Sequence, residues 1–361
     1  MIPLSRAIQL AKRMKELHIP AFFTAETSNI RYVSGFTGEE AYLLMIGDRP
    51  YMIADNRLVD AIIEECPGVE IARWRNPHPP LMEVIGELLE REDIRTLAVE
   101  GHRISYRLFK ELENQLPHVE LCPLSEAVEL LRFVKEPEEI QNIRQAASFA
   151  DKAFQEVLNF IRPGVTEREI VYELEYALAR AGSQGTGFPT IIASGHHAAM
   201  PHATPSERKV QKGDFIVMDF GGLHRMYPSD MTRTVVVGKA SEEQKKVYET
   251  VRRSQQAGLE AVKAGVAAKI PHQAAARIIL DGEYKKNCFT YGVGHGVGLE
   301  IHEAPFMNAT SEIFLEKNNV VTVEPGIYVP AWGGVRIEDT VVVTEGEPEI
   351  LTLSPKELIE L

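Results

Sequence analysis

The chain has 361 residues, 44% of them hydrophobic and 25% charged, and a formal net charge of −13. That length leaves room for two domains with separate cores, and the composition is that of an ordinary soluble globular protein. The acidic balance argues against a sequence-independent nucleic-acid binder or a protein drawn to anionic membranes, and no apolar run approaches the roughly 20 residues of a membrane-spanning helix.

The opening stretch "MIPLSRAIQLAKRMKELHIP" is charged throughout and lacks the apolar core and cleavage site of a signal peptide, so it reads as an amphipathic helix over 4–17. Strands are expected at "IPAFFTA", "EAYLLMIG", "RPYMIAD" and "TLAVE", with helices around 57–65, 80–91 and 105–115. This alternation predicts an α/β domain over residues 1–125. Within it, "TSNIRYVSGFTG" reads as a loop. Cys66, Cys122 and Cys288 are too scattered for a disulfide framework or a zinc cluster, and fit free thiols in a reducing, cytoplasmic compartment.

A second domain is expected over 133–361. Pro137 with acidic neighbours starts a helix whose apolar face is Ile143, Ala147, Ala150, Phe154, Val157 and Ile161. "RPGV" stops it. Thr166 and Glu169 form a capping box for the next helix, with Ile170, Leu174, Ala177 and Leu178 on its apolar side, and Gly182 ends it. A strand-rich region follows, and the plan then recurs: Ser241 and Gln244 cap a third helix, "KAGV" stops it, "HQAAARIIL" gives a fourth, and more strands come after. The fold expected is an α+β domain of two pseudo-symmetric helix–helix–hairpin halves.

The hairpins hold the chemistry. In "DFIVMDFGGLHRMYPSDMTRTVVVG", a turn near Leu223–Arg225 would bring Asp219 and Asp230 face to face; in "VEPGIYVPAWGGVRIED", a turn near "PAWGG" would do the same for Glu324 and Glu338. Taken singly, each acid fits a turn, cap or ion pair. Together they put like charges across strand pairs among apolar neighbours, which is destabilising without a counter-charge. Two divalent cations would neutralise four carboxylates, and hard oxygen donors with an imidazole suit a two-metal hydrolytic site. His295, in "YGVGHGVGLEIHEAP", is the natural fifth ligand. The glycine spacing fits neither a dinucleotide fingerprint nor a P-loop. The glycines are expected to let the backbone turn tightly and approach the metals.

These blocks, "DFGG…SDMTRT", "GHGVGLEIHEAP" and "VEPGIY…GGVRIEDTVVVT", resemble the creatinase/methionine aminopeptidase ("pita-bread") metallopeptidases, specifically the Xaa-Pro dipeptidase (prolidase) and Xaa-Pro aminopeptidase branch. The resemblance implies a dinuclear site of Asp219, Asp230, His295, Glu324 and Glu338. The metals would be manganese or cobalt, with zinc and iron also compatible. It implies that His202 steadies the departing group, that His302 contacts the scissile carbonyl, that Glu324 doubles as proton shuttle, and that Arg336 lies near the metals. The activity implied is cleavage of the bond before proline in dipeptides or short peptides. Removal of one residue from longer Xaa-Pro peptides is the alternative, and a ligand-binding, non-enzymatic relative is disfavoured because all five ligands are present. A homodimer is implied as well, with the N-terminal domain, like those of relatives, contributing to dimer formation. Four positions depart from the family's pattern: Tyr291 replaces a common histidine, His197 a common asparagine, and His224 and Met226 the usual turn residues.

Overall fold

The computed structural model describes residues 3–289 and 291–361 and divides the chain into two compact units, the first ending at Arg132 and the second spanning Phe133–Leu361. The first therefore runs past residue 125. Its elements are α1 (Pro3–Glu16), β1 (Ala21–Thr24), α2 (Thr27–Ser34), β2 (Tyr42–Ile46), β3 (Arg49–Ala54), α3 (Val59–Glu65), β4 (Glu70–Arg73), α4 (Leu81–Arg91), β5 (Thr96–Glu100), α5 (Tyr106–Gln115), β6 (Glu120–Leu124) and α6 (Glu129–Arg132). The strands form one sheet in the order β4-β3-β2-β1-β5-β6. Its core gathers Phe23, Leu44, Ile53, Ile85, Leu89, Leu97, Val99 and Leu112.

The segment read as a loop is helix α2, closed by Gly35 in the left-handed conformation. Its buried face includes Ser28, Asn29 and Ser34, and those polar residues hide the helix from a hydrophobic pattern. Asn29 is fully buried because it is fully bonded. Its Nδ2 donates to Glu100 Oε1 (2.5 Å) and Glu129 Oε1 (3.0 Å), and its Oδ1 accepts from Arg132 Nη1 (2.8 Å). Arg132 thus ties α6 to this unit and moves its end beyond residue 125. Strands β4 and β6 alternate weakly, being only half-buried, and were not expected.

In the second unit, α7 (Pro137–Val157) and α8 (Glu167–Ala181) precede β7 (Ile191–Ser194), β8 (Phe215–Phe220), the short β9 (Leu223–His224) and β10 (Tyr227–Pro228), and β11 (Met231–Val236). Helices α9 (Glu242–Ala261) and α10 (Lys269–Leu280) then precede β12 (Gly294–Gly296), β13 (Glu303–Met307), β14 (Val320–Val323), β15 (Gly326–Val329), β16 (Gly333–Arg336), β17 (Asp339–Val342), β18 (Glu349–Ile350) and β19 (Ile359–Glu360). Capping boxes at Glu136/Glu139, Thr166/Glu169 and Ser241/Gln244 satisfy the first N–H groups of α7, α8 and α9. The faces named from the sequence are buried, with Ile143, Ala147, Ala150, Phe154, Val157, Ile170, Leu174 and Ala177 fully enclosed. Each half is a helix pair on a sheet, ordered β19-β11-β8-β7 in the first and β13-β12-β14-β17-β18 in the second. The helix–helix–hairpin plan therefore occurs twice, and the chemistry falls on the inner strands of both halves.

One buried acid of the first unit makes its stability pH-dependent. Glu100 accepts from Thr24 and Asn29, while Glu26 and Glu129 add negative charge, and His102 and Arg103 meet Glu129 at the Oε1 that Asn29 also bonds. Burial is the dominant influence and pushes its carboxyl up to about 7. A raised folded value contributes stability that is full below the ordinary value of 4.5 and lost as pH climbs through 7. The loss amounts to roughly 3 kcal/mol for such a shift. Glu100→Gln should leave the denaturation midpoint of this unit nearly unchanged at pH 5 and raise it at pH 8, read by Trp74 fluorescence in a Trp332→Phe background. Equal responses at both pH values would refute this.

Candidate metal centre

Strand register sets where the acids face. In the first hairpin, Asp219 pairs with Thr232, and the tight turn falls at Arg225–Met226, both with positive φ (47° and 70°). The expected direct pairing of Asp219 with Asp230 is therefore corrected: the register is offset by two residues, which leaves the two acids diagonal but on the same face. In the second hairpin, Val323 pairs with Asp339 and Gly326 with Arg336, so the shared register places Glu324 opposite Glu338. The ladder is interrupted there. Glu324 N–H turns away to Val293 O (2.7 Å) and Glu338 N–H to Thr232 O (3.1 Å). The two acids sit where the second hairpin is knitted to the strand of His295 on one side and to the first hairpin on the other.

His295 lies in β12, fully enclosed between β13 and β14. Its Nδ1–H donates to Gly296 O (3.1 Å), which leaves Nε2 pointing at Glu324 Oε1 (3.3 Å) and Asp230 Oδ2 (3.6 Å). The glycines around it do not make a tight turn; none of Gly292, Gly294, Gly296 and Gly298 has a positive φ. They permit close approach of neighbouring chain instead. A Cβ on Gly294 would lie 2.0 Å from Thr322 O, and one on Gly296 2.4 Å from Ala304 O.

A cleft of about 730 Å³ is lined by all five expected ligands and by His202, His302 and Arg336. Donor atoms of Asp230, His295 and Glu338 converge within 4.8 Å of one another. Burial, then Glu338, pushes Asp230 well above the usual carboxylate range; burial, then Glu324, does the same to Glu338. Asp219 is raised by burial and held back chiefly by Arg336, whose Nη2 donates to its Oδ2 (2.6 Å). Its other oxygen is buried without a partner. Buried carboxylates that repel one another, an orphaned Oδ1 and an imidazole nitrogen aimed among them fit divalent cations with hard oxygen preference.

Arg336 organises the cleft rather than facing it with free donors. Besides Asp219, its Nε donates to Thr232 Oγ1 (3.0 Å) and its Nη1 to Pro201 O (3.1 Å) and Tyr328 Oη (2.9 Å). Thr232 Oγ1 donates in turn to Glu338 Oε2 (2.6 Å). Sequence reasoning missed Thr232, although it stands two residues after Asp230, which in a strand means the same face. Tyr291 Oη donates to Tyr328 Oη (3.2 Å), so its phenol joins the end of this chain of bonds. His302 is exposed to the cleft, its ring 4.3 Å from that of His295, and burial and then His295 hold it below its usual value. His202 is exposed next to the anchored Pro201.

His197 does not line the cleft. It meets Glu167 Oε2 (3.1 Å), a fully buried carboxylate that also accepts from the N–H and hydroxyl groups of Ser194 and Ser206. Burial raises Glu167, but those bonds outweigh it and hold the group ionised. The departure at His197 thus affects a strut behind the loop that carries His202.

Such a centre, on a doubled helix–helix–sheet scaffold, places the protein among metal-dependent peptidases of the pita-bread fold. Residues 141–345 match the model of metallopeptidase family M24, and residues 6–134 that of the creatinase/prolidase N-terminal domain. The chain belongs to metallopeptidase family M24. It is 36% identical to an Xaa-Pro dipeptidase of Pyrococcus furiosus over 98% of this chain and 99% of the relative. Among solved structures, it superposes on an Xaa-Pro dipeptidase from Bacillus anthracis with a TM-score of 0.95 (35% identity, 99% of this chain and 100% of that one). An X-Pro aminopeptidase from Thermotoga maritima gives 0.90 (33% identity, 97% and 100%).

Because Arg336 fixes Asp219 and, through Thr232, Glu338, its loss should act first on metal affinity. Arg336→Lys keeps a charge but not the fork of bonds. Affinity for Mn²⁺ by calorimetry should fall by about 10–100-fold; parent affinity would rule this role out.

Proposed function

We propose that this peptidase hydrolyses the bond before proline in dipeptides or short peptides, with two divalent cations held by Asp219, Asp230, His295, Glu324 and Glu338. The observation that carries the reading is the convergence of Asp230, His295 and Glu338 beside the orphaned oxygen of Asp219. The relatives named for Xaa-Pro substrates support the substrate. Manganese or cobalt suits four carboxylates with one imidazole. A homodimer is proposed from the family resemblance, and a cytoplasmic setting is supported by the three free cysteines.

Bound cations would supply Lewis acidity and lower the pKa of a water in the cleft. The protein's own groups do the rest. Glu324 is held ionised because His295, Arg336 and His302 offset its burial, so its carboxylate is available to take a proton. His302, neutral and open to the cleft, donates an N–H to the scissile carbonyl oxygen as charge develops there. His202 stands on the loop that Arg336 grips through Pro201, on the side of the departing proline. Phe188, Pro189, Ile191, Ile301 and Phe306 give the cleft apolar walls suited to a pyrrolidine ring and to exclusion of water.

A second reading, removal of the first residue from longer Xaa-Pro peptides, is favoured by one observation. The guanidinium of Arg336 is already engaged by Asp219, Thr232, Pro201 and Tyr328. A dipeptide brings a free carboxylate into a cleft whose arginine is committed, whereas a longer peptide presents a neutral amide at that point. Cleavage of Ala-Pro, Ala-Pro-amide and Ala-Pro-Ala should be compared on stripped enzyme, with and without Mn²⁺ or Co²⁺. Metal-dependent release of alanine from all three supports the proline-directed reading, and a preference for the two substrates whose proline carbonyl is an amide selects the aminopeptidase. His295→Ala should abolish activity together with metal binding. Full activity in the stripped enzyme, or in His295→Ala with its metals retained, would sink the assignment.

A further inference from the structure

We infer that the buried Lys135–Glu303 ion pair positions His302 for turnover, an inference that rests on the role of His302 proposed above. Among the described residues, no hydrogen bond of its own fixes the His302 ring; its recorded neighbour is the His295 ring. Its placement must come from the backbone that carries it. The next residue, Glu303, opens strand β13 opposite Gly296, the residue after His295, so the segment between them is a closed excursion from one cleft histidine to the other.

That excursion is wrapped around a charge. The Glu303 side chain is 7% exposed and that of Lys135 1%, with Nζ 2.7 Å from Oε1. Glu303 Oε2 accepts from Glu300 N–H (3.4 Å), and Gly298 N–H donates to Glu300 O (3.1 Å), which folds the segment onto the carboxylate. Residue 298 must be glycine for this, because a Cβ there would lie 2.2 Å from Glu303 Oε1. Lys135 is itself held rigidly: its N–H donates to Asn318 O (3.0 Å), and the carbonyl of Phe133, two residues earlier, accepts from Asn319 Nδ2 (2.8 Å). A buried carboxylate deprived of its cation is strongly unfavourable. Removing the Lys135 ammonium, 2.7 Å from Oε1, shifts the balance of charge that seats the Glu303 carboxylate, and the segment that carries His302 shifts with it. Lys135 and Glu303 are positioning residues; neither lines the cleft.

The test is a double-mutant cycle with His302, on metal-loaded enzyme and the Xaa-Pro substrate it cleaves best. Lys135→Met should lower kcat by about 100-fold, the effect of a displacement near 1 Å, with KM within about threefold of the parent. Metal content should be unchanged. Lys135→Arg, which keeps the charge, should recover most of the loss, and Gly298→Ala should reproduce the Lys135→Met phenotype from the opposite side. In a His302→Ala background, adding Lys135→Met should change kcat by less than about twofold. An equal loss in both backgrounds would overturn the inference, since the pair would then act on the fold and not through His302. If Lys135→Met does not fold, Gly298→Ala carries the same cycle. Parent-like kcat in His302→Ala would overturn the role of His302 and this inference together. A large loss there, additive with Lys135→Met, overturns the inference alone.

Discussion

Mutual repulsion among buried carboxylates is the constraint around which the catalytic unit is organised. Asp219, Asp230, Glu324 and Glu338 share one cleft, and burial removes the water that would screen them. The protein offsets part of this with one guanidinium and one imidazole. Arg336 holds Asp219 and Thr232, Thr232 holds Glu338, and His295 faces Glu324 and Asp230. What is left over is negative charge enclosed in a hydrophobic scaffold, a demand that divalent cations meet and that apolar packing cannot. The site is thus an electrostatic deficit that the fold sustains because the cores on either side are large enough to bear it.

Two cores share that cost. One gathers α7, α8 and the first sheet, with Phe154, Leu174, Ile216 and Met231; the other gathers α9, α10 and the second, with Val251, Ile279, Val321 and Val341. Between them, the main chain changes partners at the acids. Glu324 and Glu338 leave their own ladder and bond to Val293 and Thr232, so one acid is tied by its backbone to the strand of His295 and the other to the first half. An acid whose backbone is held by a neighbouring strand has little freedom, and this pre-organisation keeps like charges together. Buried struts behind the cleft extend the same logic. Glu167 gathers Ser194, His197 and Ser206 behind the loop of His202, and Asp339 joins Arg233, Gln255 and Lys356 behind Glu338.

The glycines around His295 illustrate how a local motif is read through tertiary packing. In sequence they imply a tight turn. In the fold their backbone is ordinary, and what matters is the missing Cβ, because Thr322 and Ala304 carbonyls occupy the space it would need. The same holds at Gly298, where the space is filled by the Glu303 carboxylate. The strand that carries His295 can lie so close to both neighbours only because its alternate residues have no side chains.

Much of this was legible in the sequence. Helix starts followed from capping boxes and helix faces from apolar spacing, since both depend on interactions within a few residues. The acids were legible as a set because two hairpins each placed a pair of them among β-branched neighbours. Helix α2 was not, because its buried face includes the polar Ser28, Asn29 and Ser34, and the Asn29 partners Glu100 and Arg132 lie far along the chain. The first hairpin's register was misplaced by two residues because its turn accepts Arg225 and Met226 at positive φ, where glycine would have marked the position. By itself, then, the sequence determined that four acids and one histidine would share a cleft and the doubled plan that presents them, for those are written in local spacing. The tertiary structure alone decided how the charges are balanced: that Arg336 is committed to Asp219, that His197 serves a strut and not the cleft, and that Lys135 neutralises Glu303. Each is a pairing of buried charges distant in sequence, and burial becomes defined only when the chain has folded.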